Sequence, residues 1–312
     1  MSLRITSSSS TRSVLASIRS ATNNITSTQE QLTTGRRINR PSDAPLDAAH
    51  AQRLAVNRTK LDQYSGNVDR AQNQIEYAAS TVQGLSDLLI QAREACTEGA
   101  NATADAGDRR ILADSVDQLL QSLVNAANTQ LDGQYIFAGT ATTTKPFETH
   151  IGSSGLVESV TYQGNDGRVQ LDVGPRVRVQ TNEPGSAAIG ASGTEGSVFD
   201  ALIQLRDLLR NDAGQSDNQV AKALSDHLGA LSSAQDRVID ATARLGWRSN
   251  QLEFTRTAIG NAQLANDLLL GELEDADIAG AAARLYSQEA ALEAAMVVAA
   301  RMLRSSLLDY LQ

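Results

Sequence analysis

The sequence predicts a mainly α protein: an elongated antiparallel coiled coil or helical bundle formed by both halves of the chain, with one small inserted β domain. Three observations lead there. Heptad seams run from Leu54 to Cys96 and from Leu224 to Leu273. Aromatic residues make up only 4 % of the 312 residues, while Ala, Leu, Gln, Ser and Thr abound. That balance suits helices packed side by side better than one large globular core. Finally, strand-like alternation is confined to residues 143–190.

Composition also excludes several functions. The net charge of −9 and pI of about 4.9 argue against a nucleic-acid-binding body. Cys96 is the single cysteine, so no intrachain disulfide forms and no zinc site is built from thiolates. No run of 18 apolar residues predicts a membrane span. The N-terminal stretch MSLRITSSSSTRS lacks the apolar core of a secretory signal, which alone predicts a cytosolic protein.

Residues 3–34 carry a sparse helical stripe: Val14, Ile18, Ala21, Ile25, Thr28 and Leu32. Thr28 interrupts it, and a helix this polar needs partners to bury its stripe. The connector LTTGRRINRPSDAP (Leu32 to Pro45) follows. Gly35, Pro41 and Pro45 break helices, and Ser42 and Asp43 read as N-caps of the next one. Arg36, Arg37 and Arg40 make the connector basic.

The next helix carries Leu54, Leu61, Val68, Ile75, Val82, Leu89 and Cys96 on one heptad position. Tyr64, Ala71, Ala78, Leu85 and Ala92 take the companion position, with Asn57 as the exception. At 1.5 Å per residue this seam spans about 65 Å. Cys96 on it reads as a buried small apolar group rather than a nucleophile. Thr97 to Gly107 reads as a polar turn. A second helix opens at Asp108, shows Ile111, Leu112, Val116, Leu119, Leu123, Ala126 and Ala127 on its apolar face, and ends at Asp132-Gly133.

QYIFAGT (Gln134 to Thr140) reads as a β-prone strand leaving the bundle. In 143–190, three short strands around Val157–Tyr162, Val169–Val173 and Val177–Val179 predict a small sheet or barrel fragment. Asn165-Asp166-Gly167 is its hairpin turn. The glycine-rich loop Gly185–Gly196 lacks the context of a phosphate loop. Ser197-Val198-Phe199-Asp200 reads as a capping box before Leu202, Leu205 and Leu209.

The longest seam then runs through Leu224, Leu231, Val238, Leu245, Leu252, Ile259, Asn266 and Leu273. Asn266 is a register-fixing polar residue on it. His227 reads as a satisfied core histidine. His50, His150 and His227 show no metal-type spacing, and no nucleophile motif is present, so neither a metal, a cofactor nor an enzyme is expected. From Leu273 to Ile278 the seam steps by five residues, which predicts a bend. The acidic break there includes Glu272, Glu274, Asp275 and Asp277. The last helix restarts with Ile278, Leu285, Leu292 and Ala299 on one position and Ala282, Met296, Leu303 and Tyr310 on the other. Glu289 and Ser306 are its interruptions.

The connector closely resembles the signature of the bacterial flagellin superfamily. LDGQYIFAGTATTTKPF (Leu131 to Phe147), LGWRSNQLE (Leu245 to Glu253), GELEDADIA and the ending SLLDYLQ strengthen that resemblance. Within the superfamily, the YIFAGT segment and the DYLQ ending are more similar to hook-associated proteins of the hook–filament junction than to filament flagellins.

The N-terminal helix, connector and long helix mirror the long helix, acidic break and terminal helix at the other end, which predicts a nested, antiparallel layout. Residues 1–40 with 278–312 form a terminal helical domain, 41–142 with 191–277 a helical bundle, and 143–190 the β domain. The resemblance implies a structural adaptor that joins hook to filament as a ring of subunits. The expected partners are further copies of itself, a hook-associated protein on the hook side, flagellin on the filament side and an export chaperone; nucleic acid and membrane are not expected. Export through the flagellar type III channel without a cleaved signal implies an extracellular location. The assembly residues expected are Val14, Ile18, Ile25, Leu32, Arg36, Arg37, Arg40, Glu274, Asp275, Asp277, Leu285, Leu292, Met296, Leu303, Leu307 and Tyr310. The basic connector is expected to face the acidic break. The alternatives are a filament flagellin and, far behind, an enzyme.

Overall fold

The computed structural model describes residues 7–101, 104–194 and 196–310, with 7–11 and 302–310 described as helical backbone. In chain order the elements are α1 (Ser7–Thr34), α2 (Pro45–Gly99), α3 (Ala106–Ala127), β1 (Gln130–Leu131), β2 (Gln134–Tyr135), β3 (Phe147–Ile151), β4 (Val157–Tyr162), β5 (Gln170–Gly174), β6 (Val177–Gln180), α4 (Gly185–Ala188), α5 (Val198–Arg210), α6 (Asp217–Glu274) and α7 (Ile278–Tyr310). The fold is mainly α with a small β region. It divides into two compact units, Met1–Leu61 with Asn261–Gln312, and Asp62–Gly260. Among the described residues, no helix is long and apolar enough to cross a membrane.

In the unit Asp62–Gly260, α2 and α6 run antiparallel. Arg256 pairs with Asp69 (2.9 Å), and Cys96 at the far end of α2 reaches the Leu224 carbonyl of α6 (3.3 Å). The predicted seams are the buried ones: Val68, Ile75, Val82, Leu89 and Cys96 meet Leu224, Leu231, Val238, Leu245 and Leu252. Each such Leu or Ile contributes roughly 1.5–3 kcal/mol by leaving water. His227 is buried, with its Nε2 2.7 Å from the Ala201 carbonyl, so it is satisfied inside the core.

Helix α3 begins two residues earlier than the sequence reading. Asp105 caps it, accepting from the Gly107 and Asp108 amides (2.7 and 2.8 Å), while Asp108 reaches back to the Asp105 amide. Those two amides, above all that of Asp108, hold the Asp105 carboxyl below the usual carboxylate range. The buried face of α3 is Ala113, Val116, Leu120, Leu123, Val124 and Ala127, and Ile111 points to solvent. The helix ends at Ala127. Asp132-Gly133, read as its stop, instead forms the tight turn of the β1–β2 hairpin, with φ of 51° and 75°.

The β region differs most from expectation. It is three separate antiparallel pairs, β1–β2, β3–β4 and β5–β6, rather than one small sheet. Asn165-Asp166-Gly167 joins no paired strands. The Asn165 side chain instead accepts from the Thr140 and Gly167 amides (2.8 and 2.9 Å), pinning two loops together. The turn at Gly174-Pro175 does close β5–β6. Most of QYIFAGT lies outside strands, with Ile136, Phe137 and Ala138 buried.

These strands bury their apolar residues on helices. The Phe147 ring stacks 5.2 Å from Tyr162 and 5.0 Å from Phe199 of α5. Asn128 at the end of α3 holds both backbone groups of Phe147 at 3.0 Å. Arg206 is buried. It reaches the Val157 carbonyl (2.8 Å), Asp117 (3.2 Å) and Asp207 (2.7 Å). Glu183 is buried between Arg244 and Arg248 of α6, each 2.8 Å away. Ser197 caps α5 by accepting from the Asp200 amide (3.3 Å), but Asp200 turns to the Gly193 amide (2.7 Å), so only half of the predicted capping box forms.

In the unit Met1–Leu61 with Asn261–Gln312, α1 packs antiparallel on α7, and α2 pairs with α6. The two polar exceptions of the seams find each other: Asn57 donates to Asn266 (3.2 Å), and Asn266 donates to the Leu54 carbonyl (3.1 Å).

Candidate assembly interface

The candidate interface is the pair of terminal helices and the double crossing that feeds it. On α1 the side turned to α7 carries Val14, Ile18, Ala21, Ile25, Thr28 and Leu32. Ile25 and Thr28 are buried and the others half-buried. Thr28, the interruption in the stripe, donates to Gln288 of α7 (3.0 Å), so its hydroxyl is used rather than stranded.

On α7 the matching line is Ala281, Leu285, Gln288, Leu292, Ala295 and Ala299. The predicted companion line of Ala282, Glu289 and Met296 is off by one residue: Glu289 is exposed, and Met296 is half exposed. Small alanines let the two backbones approach, which a Met on the seam would oppose. Leu303, Leu307 and Tyr310 lie outside the residues whose side chains are described. Around the seam, Leu15, Ile278, Tyr286, Val297 and Val298 remain exposed.

Gly35 ends α1 in the left-handed region at φ 69°, and its amide bonds the Gln31 carbonyl (2.9 Å). The chain then crosses the break between α6 and α7 as a short antiparallel bridge, Arg36 opposite Asp275. Arg37 donates its amide to the Glu274 carbonyl (2.6 Å), and Ala276 donates to the Gly35 carbonyl (2.9 Å). Side chains add to this: Arg36 meets Glu274 (3.4 Å), while Arg37 reaches Asp47 and the Leu273 carbonyl, both at 2.8 Å.

Not every predicted charge joins the crossing. Arg40 folds back on Glu30 of α1 (2.7 Å). Asp277 serves the helix behind it, accepting from the Gly280 amide (3.0 Å). Asp43 does not cap α2 but closes the connector by accepting from the Arg40 amide (2.8 Å). Pro45 is the first residue of α2, where its missing N–H costs nothing. The ion pairs are largely exposed, so each contributes less than about 1 kcal/mol. The backbone bonds carry the crossing.

Sequence reasoning missed Gln288 and the pairing of Asn57 with Asn266. Both had a signal: a polar residue on a seam calls for a polar partner at the same level of the opposite helix.

With that geometry in place, comparisons with known proteins show what the chain is similar to. The family model for the bacterial flagellin N-terminal helical region matches residues 5–142. That match places the resemblance in the N-terminal part of the chain. It is 27 % identical over 272 residues to flagellar hook-associated protein 3 of Escherichia coli, covering 85 % of this chain and 86 % of that one. Flagellin FlaB1 of Treponema pallidum is 23 % identical over 253 residues, covering 80 % and 78 %. Among solved structures, flagellar hook-associated protein 3 of Legionella pneumophila superposes with a TM-score of 0.62 at 15 % identity, over 71 % of this chain and 98 % of that one. These relatives are structural proteins of the flagellum.

Proposed function

We propose that this chain is a structural adaptor of the bacterial flagellum that joins hook to filament by self-assembly. The likeness to hook-associated protein 3 carries the reading, because it extends over 85 % of the chain and so draws on both of its halves. The geometry supplies the means. The α1–α7 pair leaves Leu15, Tyr286, Val297 and Val298 in water, and neighbouring subunits would cover them.

In this reading residues 1–40 with 278–312 are the layer that enters the assembly. Val14, Ile18, Ile25, Leu32, Leu285 and Leu292 hold the two helices together. Arg36, Arg37, Arg40, Glu274, Asp275 and Asp277 set the crossing beneath them. Met296, Leu303, Leu307 and Tyr310 complete the set of assembly residues in this reading. The partners are further copies, a hook-associated protein on one side, flagellin on the other, and an export chaperone beforehand. The protein acts outside the cell after export without a cleaved signal, and it makes and breaks no bonds.

Immunogold labelling of isolated flagella tests this. Label should collect at the hook–filament boundary. Label along the whole filament, with the chain abundant in purified filaments, would support the filament-flagellin reading that the Treponema likeness favours. Label away from flagella would overturn both.

A further inference from the structure

We propose that the cleft between α2 and the β5–β6 hairpin binds an acidic saccharide, whose carboxylate is taken by Arg176. The site lies within the unit Asp62–Gly260 and is independent of the proposed function. Its volume is about 800 Å³, within the range of small-molecule sites. Gln63, Tyr64 and Asn67 of α2 form one wall and the hairpin forms the other. The Asn67 side-chain amide donates to the Asp172 carbonyl (2.7 Å) and ties the two walls together.

Arg176 stands out by its backbone. Pro175 and Arg176 are the two residues between the paired Gly174 and Val177. Proline fixes its φ near −65°, and Arg176 follows at φ 64°. That sequence of angles is a type II turn, whose second central position ordinarily takes Gly or Asn. Among the described residues, the other two non-glycines at positive φ are Asp132 and Asn211, residue types that tolerate it. An arginine there costs stability that glycine would spare, and such strained residues cluster at ligand sites. The Arg176 side chain lines the cleft, and among the described residues it has no hydrogen-bond or ion-pair partner.

The charges around the cleft leave it positive. Arg178 and Asp172 pair with each other (2.8 Å), so Arg176 is left over. Arg70 donates to the Asn67 side-chain oxygen (3.2 Å) and has no carboxylate partner among the described residues. Asp62 and Asp69 are seven residues apart on the opposite side of α2, where Asp69 pairs with Arg256 (2.9 Å). Asp166, the carboxylate before β5, accepts from the Ser186 hydroxyl.

The remaining lining selects the class of anion. A guanidinium fork meets a carboxylate with two parallel hydrogen bonds. Around it stand the Gln63 and Gln170 amides and the Tyr64 hydroxyl, which also have no protein partner among the described residues. These neutral groups both donate and accept, which matches the hydroxyls of a sugar ring. Leu171, Gly174 and the Tyr64 ring are too little apolar lining for a hydrophobic ligand.

The test is isothermal titration of the full chain at low salt with three probes: a galacturonic acid disaccharide, the neutral galactose disaccharide and inorganic phosphate. The acidic disaccharide should bind one to one, about tenfold or more tighter than either other probe. Arg176→Gly should weaken it about tenfold or more, the factor of a hydrogen bond to a charged group. The same variant should melt at the parent temperature or above, because glycine relieves the left-handed position. Tyr64→Phe keeps the ring and should weaken binding about two- to tenfold. No binding of the acidic disaccharide, equal binding of phosphate or of the neutral disaccharide, or an affinity unchanged by either variant would each overturn the inference. A lower melting temperature in Arg176→Gly would overturn it too, since the arginine would then serve the fold.

Discussion

At the residue scale, buried polar groups give the clearest tests. Burial pushes the Cys96 thiol up to about 11, so at pH 8 almost none of it is the reactive thiolate. A thiol reagent should label the folded protein far more slowly than the protein in denaturant; equal rates would contradict its place on the seam. Tyr162 is also pushed up, to about 12, chiefly by burial. Its hydroxyl bonds the Phe137 and Asn165 carbonyls (2.9 and 3.0 Å). The folded state thus holds this proton more tightly than the unfolded chain. Its stabilisation is complete below pH 10 and is lost as pH rises through about 12. The urea midpoint should fall more between pH 9 and pH 11.5 in the parent than in Tyr162→Phe. The Asn57–Asn266 pair separates two costs. Asn57→Leu alone leaves the Asn266 side-chain oxygen without its donor and should cost about 1–3 kcal/mol, whereas Asn57→Leu with Asn266→Leu should cost less than that or stabilise. A double-mutant cycle by chemical denaturation measures the difference. Asn266 was legible as a register residue because a heptad isolates it. Arg206 and Glu183 were not, because nothing local distinguishes a buried charge whose partners lie dozens of residues away.

At the element scale, the long helices were readable because heptad periodicity is a local signal repeated many times. The β pairs were not, because pairing is non-local: Asn-Asp-Gly has the composition of a hairpin turn, yet the Asn165 side chain binds Thr140 instead. The one-residue error on α7 has a related origin. In an alanine-rich helix two adjacent faces score alike, and the larger Met296 draws the reading away from the alanines that pack. The crossing between connector and acidic break was predicted from charge, and it is there, but backbone bonds hold it. Ala276→Pro removes the amide that bonds the Gly35 carbonyl and should destabilise the terminal helical pair more than Arg36→Ala, whose exposed ion pair contributes less than about 1 kcal/mol. Hydrogen exchange of α1 amides would rank the two; equal protection in both variants would refute the ranking.

At the scale of the whole molecule, stability is unevenly divided. Among the described residues, the unit of the two chain ends buries only Ile25, Ala51 and Ala281 among its apolar side chains to below a tenth of their surface. All the other buried apolar residues belong to Asp62–Gly260. Hydrophobic stabilisation scales with the area removed from water, so the terminal unit should open first, giving two calorimetric transitions rather than one. In the proposed function, assembly would supply what the isolated terminal unit lacks, because neighbours that bind only the folded form stabilise it by mass action. Removing residues 303–312 takes away Leu303, Leu307, Leu308 and Tyr310 but leaves every residue of the larger unit. The upper transition of the truncated monomer should stay within about 2 °C of the parent, since a change of even 1 kcal/mol moves a midpoint in a unit of this size by roughly 2–4 °C. The same cells should carry hooks without filaments and shed flagellin into the medium. Normal filaments on those cells, or a fall of the upper transition by several degrees, would show that the last ten residues serve the fold of the monomer rather than its assembly.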